Sequence, residues 1–109
     1  MKTIFVKAFS EFPGPRYRNL GPSSGQEFRE EILIPAIKQY GAHKLIINLD
    51  GTCGYGSSFL EEAFGGLLRD RVVTPEEASV LVGNLVSDED PSLVDEIREY
   101  IADESTRGS

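Results

Sequence analysis

Apolar and polar positions follow two different periods along this chain, and each change of period marks a predicted element. Residues 3–9 (TIFVKAF) are rich in β-branched and aromatic types and predict a strand. Ile4, Val6 and Ala8 would share one face, and Thr3, Phe5, Lys7 and Phe9 the other. Both faces are largely apolar, which predicts a strand covered on both sides. Residues 11–25 (EFPGPRYRNLGPSSG) hold three prolines and three glycines, which excludes a long helix. Residues 16–18 could form a short edge strand there, with the remainder as loop.

Helical spacing begins after Ser24. Ser24 and Glu27 have the spacing of a capping box, and Phe28, Ile32, Leu33, Ala36, Ile37 and Tyr40 form one buried stripe. Pro35 should kink this helix, because it cannot donate to the carbonyl of Glu31. Gly41 is a plausible stop. Residues 44–49 then form an apolar run (KLIINL), which predicts a central strand with both faces covered by helices. A loop over 50–56 leads into a helix over 57–69. Its inner face is Phe59, Leu60, Ala63, Phe64, Leu67 and Leu68, and its outer face Glu61, Glu62 and Arg69. Gly65 and Gly66 each cost about 1 kcal/mol in a helix interior, and close approach of another backbone would offset that.

Thr74, Pro75 and Glu77 predict a second capped helix, a short one over 75–79, followed by a final strand over 80–86. One longer helix over 74–86 is the alternative. Asp90 and Pro91 open a last helix with Leu93, Val94, Ile97, Tyr100 and Ile101 as its buried stripe. The fold class is therefore α/β, a small domain with a mixed sheet of about four strands flanked by helices. Residues 1–102 form one domain, and residues 103–109 read as a polar, frayed tail.

Composition narrows what such a domain does. The net charge is −7, from 18 acidic and 11 basic residues. Nucleic acids and anionic membranes are bound through clustered lysine and arginine, so this balance argues against both. It permits a basic protein partner, or simply keeps a small protein in solution. One cysteine, Cys53, makes no internal disulfide, and with one histidine, His43, it makes no structural zinc site. No metal or cofactor is expected. The N-terminus lacks the apolar stretch of a signal peptide, and no stretch approaches a membrane span. A cytoplasmic location is the expectation.

Candidate chemistry is concentrated in GTCGYGSS, which follows the central strand. Gly51, Gly54 and Gly56 let a backbone or ligand come close, and Ser57 and Ser58 stand at a helix N-terminus, where unpaired amides favour an anion. A serine here could bind phosphate, carry one, or only cap the helix. The loop lacks the lysine of a Walker motif and the glycine spacing of a dinucleotide fingerprint. Asp50 at the strand end could hold a metal or a hydroxyl, or cap a turn. Cys53 needs a base to act as a nucleophile, and His43 lies at the opposite end of the strand. The cluster of Arg16, Tyr17 and Arg18 could line a partner site or be a solvated edge.

The run LIINLDGTCGYGSSFLEEAFGGLL resembles the STAS-like domain family, small bacterial proteins of largely unassigned function. Residues 57–65 (SSFLEEAFG) are its most specific part, and the C-terminal DPSLVDEIREYI also fits. That family is related to the STAS domains of anti-sigma factor antagonists and sulfate transporters. In the antagonists, a serine opening the helix after the central strand is phosphorylated by a histidine-kinase-like ATPase, and the phosphate blocks binding to that kinase. Ser57 matches this serine by position. Gly56 stands where those antagonists have aspartate, and Phe59 where they have glycine.

The resemblance implies a non-enzymatic, regulatory, protein-binding module. It would bind a protein partner through Asp50, Gly51, Gly54, Gly56, Ser57, Ser58, Glu61 and Glu62, and the resemblance points to such an ATPase as that partner. Ser57 is the candidate phosphorylation site, and a monomer or weak dimer is expected. The rival readings are an anion- or nucleotide-binding module at the same loop, and an acidic inhibitor protein from a mobile element.

Overall fold

The apolar run after Lys44 builds the middle of the sheet. In the computed structural model, which describes residues 1–107, β1 (Lys2–Phe5), β2 (Leu45–Asn48) and β3 (Leu85–Val86) lie in the order β1-β2-β3. Both pairs are parallel, with Ile4 beside Ile47 and Ile47 beside Leu85. The sheet is thus wholly parallel and three-stranded, not mixed with about four strands.

Among the described residues one expected strand is absent and another is shortened, both for local reasons. Residues 16–18 do not pair with the sheet. Pro15 and Pro22 flank a single 3₁₀ turn, Arg18–Leu20, and both arginines turn to carboxylates on helices. Residues 80–83 stay in the helix that begins at Pro75, which leaves only Leu85 and Val86 to pair. The first strand is also shorter than its pattern. After Phe5 the chain makes one helical turn, α1 (Val6–Phe9), which buries Val6 and sets the Phe9 ring 5.2 Å from that of Phe28.

The next helix, α2, spans residues 25–40. Its N-cap is Ser24, whose Oγ accepts from the Glu27 amide at 3.0 Å. The helix widens into a π turn over Arg29–Leu33 and returns to α geometry over Ile34–Tyr40. Pro35 explains the widening, since it has no N–H to donate and its ring would press on the preceding turn. Gly41 ends the helix at φ +86.

Helix α3 spans residues 57–69 and has a π turn of its own over Glu61–Gly65. Helix α4 (Pro75–Gly83) opens with a complete capping box. Glu77 N–H donates to Thr74 Oγ1 at 3.1 Å, and Thr74 N–H to the Glu77 carboxylate at 3.0 Å. Helix α5 is Ser92–Arg107. It runs through residues 103–107, where polarity predicted fraying, because Glu104 is buried against Arg69. Residues 108–109 of that predicted tail lie outside the described residues.

One hydrophobic cluster joins Ile4, Leu45, Ile47 and Leu49 of the sheet to Phe28, Phe59, Phe64, Leu81 and Ile97 of the helices. Helices α2 and α3 are in close contact at Gly25, where a Cβ would sit 2.5 Å from the Phe59 carbonyl oxygen. The core occupies only one face of the sheet. On the other, Phe5 is 44% exposed, while Thr3, Ile46, Asn48 and Val86 are half-buried and outside the cluster. The expected second layer is missing because crossovers of one hand, stepping from β1 to β2 to β3, bring their helices to the same side.

Candidate functional site

The loop after β2 is held by its own polar groups. Asp50 N–H donates to Asn48 Oδ1 at 2.9 Å, which starts the turn. The Asp50 carboxylate then reaches the loop between β3 and α5. Its two oxygens accept from the amides of Asp88 at 3.1 Å and Glu89 at 3.0 Å. Glu89 answers by accepting from the Gly51 amide at 2.5 Å. Asp50 is therefore a clasp between two loops, which extends the turn-capping role that its position suggested.

Gly51 and Gly54 have φ of +91 and +126, conformations that side-chain-bearing residues rarely adopt. A Cβ on Gly51 would also meet the Lys7 side chain at 2.6 Å. Cys53 N–H donates to Glu11 O at 2.8 Å, tying the loop to the chain after α1, while the side chain of Cys53 is exposed. His43 lies in the 3₁₀ turn Ala42–Lys44, which enters β2 from its other end. Tyr55 donates its hydroxyl to Leu49 O at 2.7 Å and lays its ring 5.9 Å from that of Phe59. Burial pushes the Tyr55 hydroxyl up to about 12, and the nearby Asp50 and Glu89 carboxylates add to the rise.

The loop borders a cleft of about 380 Å³ whose lining includes Asp50, Cys53, Tyr55, Ser87, Glu89 and Asp90. Three of these are carboxylates, so the cleft opposes anions. Among the described residues, no group of three or more His, Cys, Asp or Glu is arranged to hold a metal.

The N-cap of α3 is Gly56, and no side chain caps the helix. Neither Ser57 nor Ser58 plays the capping role open to them in the sequence. Both lie inside the first turn with exposed side chains. Tyr100 of α5 stands close to Ser57 and donates to Glu96 Oε2 at 2.5 Å. Burial first, and Glu96 second, push its hydroxyl up to about 12.

Of the three residues assigned to the outer face of α3, only Arg69 is exposed. Glu62 is buried at 5% exposure and Glu61 is half-buried. Arg29 of α2 donates from Nη1 to the Glu62 carboxylate at 2.5 Å and to Glu62 O at 2.6 Å. Its Nε lies 3.2 Å from Asp70 Oδ2. Arg69 reaches Glu61 at 2.8 Å, Glu62 at 3.2 Å and Glu104 of α5 at 2.6 Å, while Arg16 pairs with Glu61. Burial pulls the Glu61 carboxyl up, but the hydrogen bonds from Arg69 and Arg16 win and hold it below its ordinary value. Hydrogen bonds to Glu61 and Glu104 raise the Arg69 guanidinium. Glu61 and Glu62 are thus committed inside the fold, because three arginines from separate segments converge on the π turn that carries them.

Sequence reasoning missed Arg16, Arg29 and Glu104 as members of this network. A signal for it was present in Gly65 and Gly66. A Cβ on Gly66 would strike the Arg29 guanidinium, and one on Gly65 the Glu61 carboxylate at 2.7 Å. The expected close approach at these glycines exists, but it is by charged side chains and not by a backbone.

Residues 24–74 match the family model of a STAS-like domain of unknown function (DUF4325). That segment, a little under half of the chain, is similar to a STAS-like domain. The match runs from the N-cap of α2 to the N-cap of α4, so the STAS-like segment contains β2, the glycine loop and α3. No curated protein and no solved structure matches the chain. Among the described residues, no helix is long and apolar enough to cross a membrane.

Proposed function

We propose that this STAS-like domain is a non-enzymatic regulatory module that docks a protein partner on the loop from Gly51 to Ser58. The observation that carries this reading is the pair of exposed serines, Ser57 and Ser58, in the uncapped first turn of a helix whose next residues, Phe59 and Leu60, are fully buried. A docking partner can reach both hydroxyls, and the helix behind them is fixed in the core. Glu61 and Glu62 drop out of the docking surface, since their charges are spent on Arg16, Arg29 and Arg69.

Ser57 is the acceptor in this reading. Its Oγ attacks the γ-phosphorus of ATP held by a partner kinase, its proton leaves to a base of that kinase, and ADP departs. The histidine-kinase-like ATPase as partner rests on the family resemblance. Phosphate at this place gains from the open helix end and from the free first-turn amides. It also adds charge beside the acidic cleft, which would repel a partner surface that had docked before. The same carboxylates weigh against the rival reading of a free phosphate or nucleotide seated at the loop.

Intact-mass spectrometry of the protein from its own host tests the switch. A species about 80 Da heavier is expected in the wild type and absent from Ser57→Ala. Affinity capture from the same host, repeated with Ser57→Glu, tests the docking. A captured partner that ignores Ser57→Glu and also ignores Gly54→Asp would put the docking surface elsewhere.

A further inference from the structure

The bare face of the sheet points to a second copy of this chain. Wholly parallel sheets occur almost only with both faces covered, because their strands are apolar on both. Here one face carries the core, and the other shows Phe5 at 44% exposure, with Thr3, Ile46, Asn48 and Val86 around it. The register aligns these side chains into rows, Thr3 beside Ile46, and Phe5 beside Asn48 and Val86. Lys7 arches over part of the face, its Nζ 5.7 Å from the Phe5 ring.

Charge selects the occupant. Because all strands run the same way, the face has one basic end and one acidic end. Lys2 opens β1, and exposed Lys44 precedes β2. At the other end stand Asp50 after β2, and exposed Asp88, Glu89 and Asp90 after β3, which outnumber Lys7 after β1. Two copies can stack face to face about either of two twofold axes. An axis along the strands sets basic end on basic end. An axis across them reverses the partner's strands and sets Lys44 of each copy over the acidic end of the other.

We propose that the chain forms a dimer of this second kind, isologous and antiparallel, through the Phe5, Ile46 and Val86 face. The geometry of aligned sheet packing suits it, with strands within about 30° of antiparallel and sheets about 10 Å apart. Three strands of this length offer a patch of about 15 by 13 Å, small beside the roughly 800 Å² per partner of a stable interface. The dimer is therefore weak and reversible, and its charged ends make it sensitive to salt.

Sedimentation equilibrium of the whole chain over a concentration series tests this. Wild type is expected to dimerise reversibly, and less so as salt rises. Phe5→Lys, at a position already exposed, should weaken the dimer about tenfold or more while far-ultraviolet circular dichroism stays unchanged. Lys44→Glu and Asp88→Lys should each weaken it, and the double variant should recover most of the loss, since every lost pair is remade with its charges exchanged. A chain that stays monomeric at the highest concentration reached would overturn the proposal and leave the face to a different partner. So would a dimer indifferent to Phe5→Lys and to both charge reversals. The phosphate on Ser57 and the capture of a partner are read separately, by mass and by capture from the host.

Discussion

Arg29 and Glu62 meet at 2.5 Å in a place where both side chains are almost fully buried, the arginine on the π turn of α2 and the glutamate on the π turn of α3. Two charges withdrawn from water must satisfy each other, and here the same guanidinium nitrogen also donates to Glu62 O. Removing one member strands the other. Arg29→Ala is expected to cost about 3–5 kcal/mol of stability. Arg29→Met with Glu62→Leu together should cost well below the sum of the single changes, because no charge is then left unpaired. Urea unfolding of the four proteins in this cycle measures both statements, and additive losses would contradict the pairing.

Gly25 is a point where the backbones of α2 and α3 come close. A methyl group there would lie 2.5 Å from the Phe59 carbonyl oxygen, backbone that cannot swing away. Gly25→Ala should therefore destabilise by about 1–3 kcal/mol, although alanine is otherwise the better helix former. Gly83→Ala, with open space around the position, is the control that should not destabilise. Thermal unfolding of the two variants separates local contact from propensity.

Asp50 accepts two amides from the loop between β3 and α5. Asp50→Ala leaves those amides to water and frees the clasp, at an expected cost of about 1–3 kcal/mol. Hydrogen exchange should quicken at Asp88, Glu89 and Gly51 more than in α4. Uniform quickening through the domain would mean that Asp50 supports the whole fold and not the two loops.

Acid should loosen the α2–α3–α5 side of the molecule first. The carboxyl of Glu61 is held below its ordinary value in the folded chain. Its contribution to stability is present in full above the ordinary carboxylate range. It is lost as pH falls through that range to the lower folded value, since the unfolded chain takes up the proton more readily. Stability should decline as pH falls through the ordinary carboxylate range and below it, and Glu61→Gln should flatten that decline. An unchanged slope in the variant would assign the acid sensitivity to other carboxylates.

The elements that could be read from sequence are those decided by neighbours in the chain. Ser24, Gly41 and Thr74 with Glu77 mark their helix ends as expected, because capping is a contact within a few residues. The β2 run and the glycine loop were legible for the same reason. What misled was burial without chemistry. Val6 and Phe9 carry the apolar pattern of a strand but enter the core by a helical turn. Val80 and Val82 favour strand by type, yet the capping box upstream had already committed them to α4. Glu61 and Glu62 looked like a solvated face because their partners, Arg16 and Arg29, lie 45 and 33 residues away. Long-range pairing of charge leaves no period in the sequence. Only Gly65 and Gly66 record it, as room kept free for side chains from elsewhere.

The clasp at Asp50 also sets how the serine loop meets whatever comes to it. Asp50 and Gly51 are anchored to the loop before α5, Cys53 to Glu11 and Tyr55 to Leu49, and α3 is sunk in the core immediately after Ser58. Such a loop has little conformational entropy left to lose. Docking on it would be close to a rigid-body event on this side, so that adaptation falls to the partner and affinity is not drained by ordering Ser57 and Ser58.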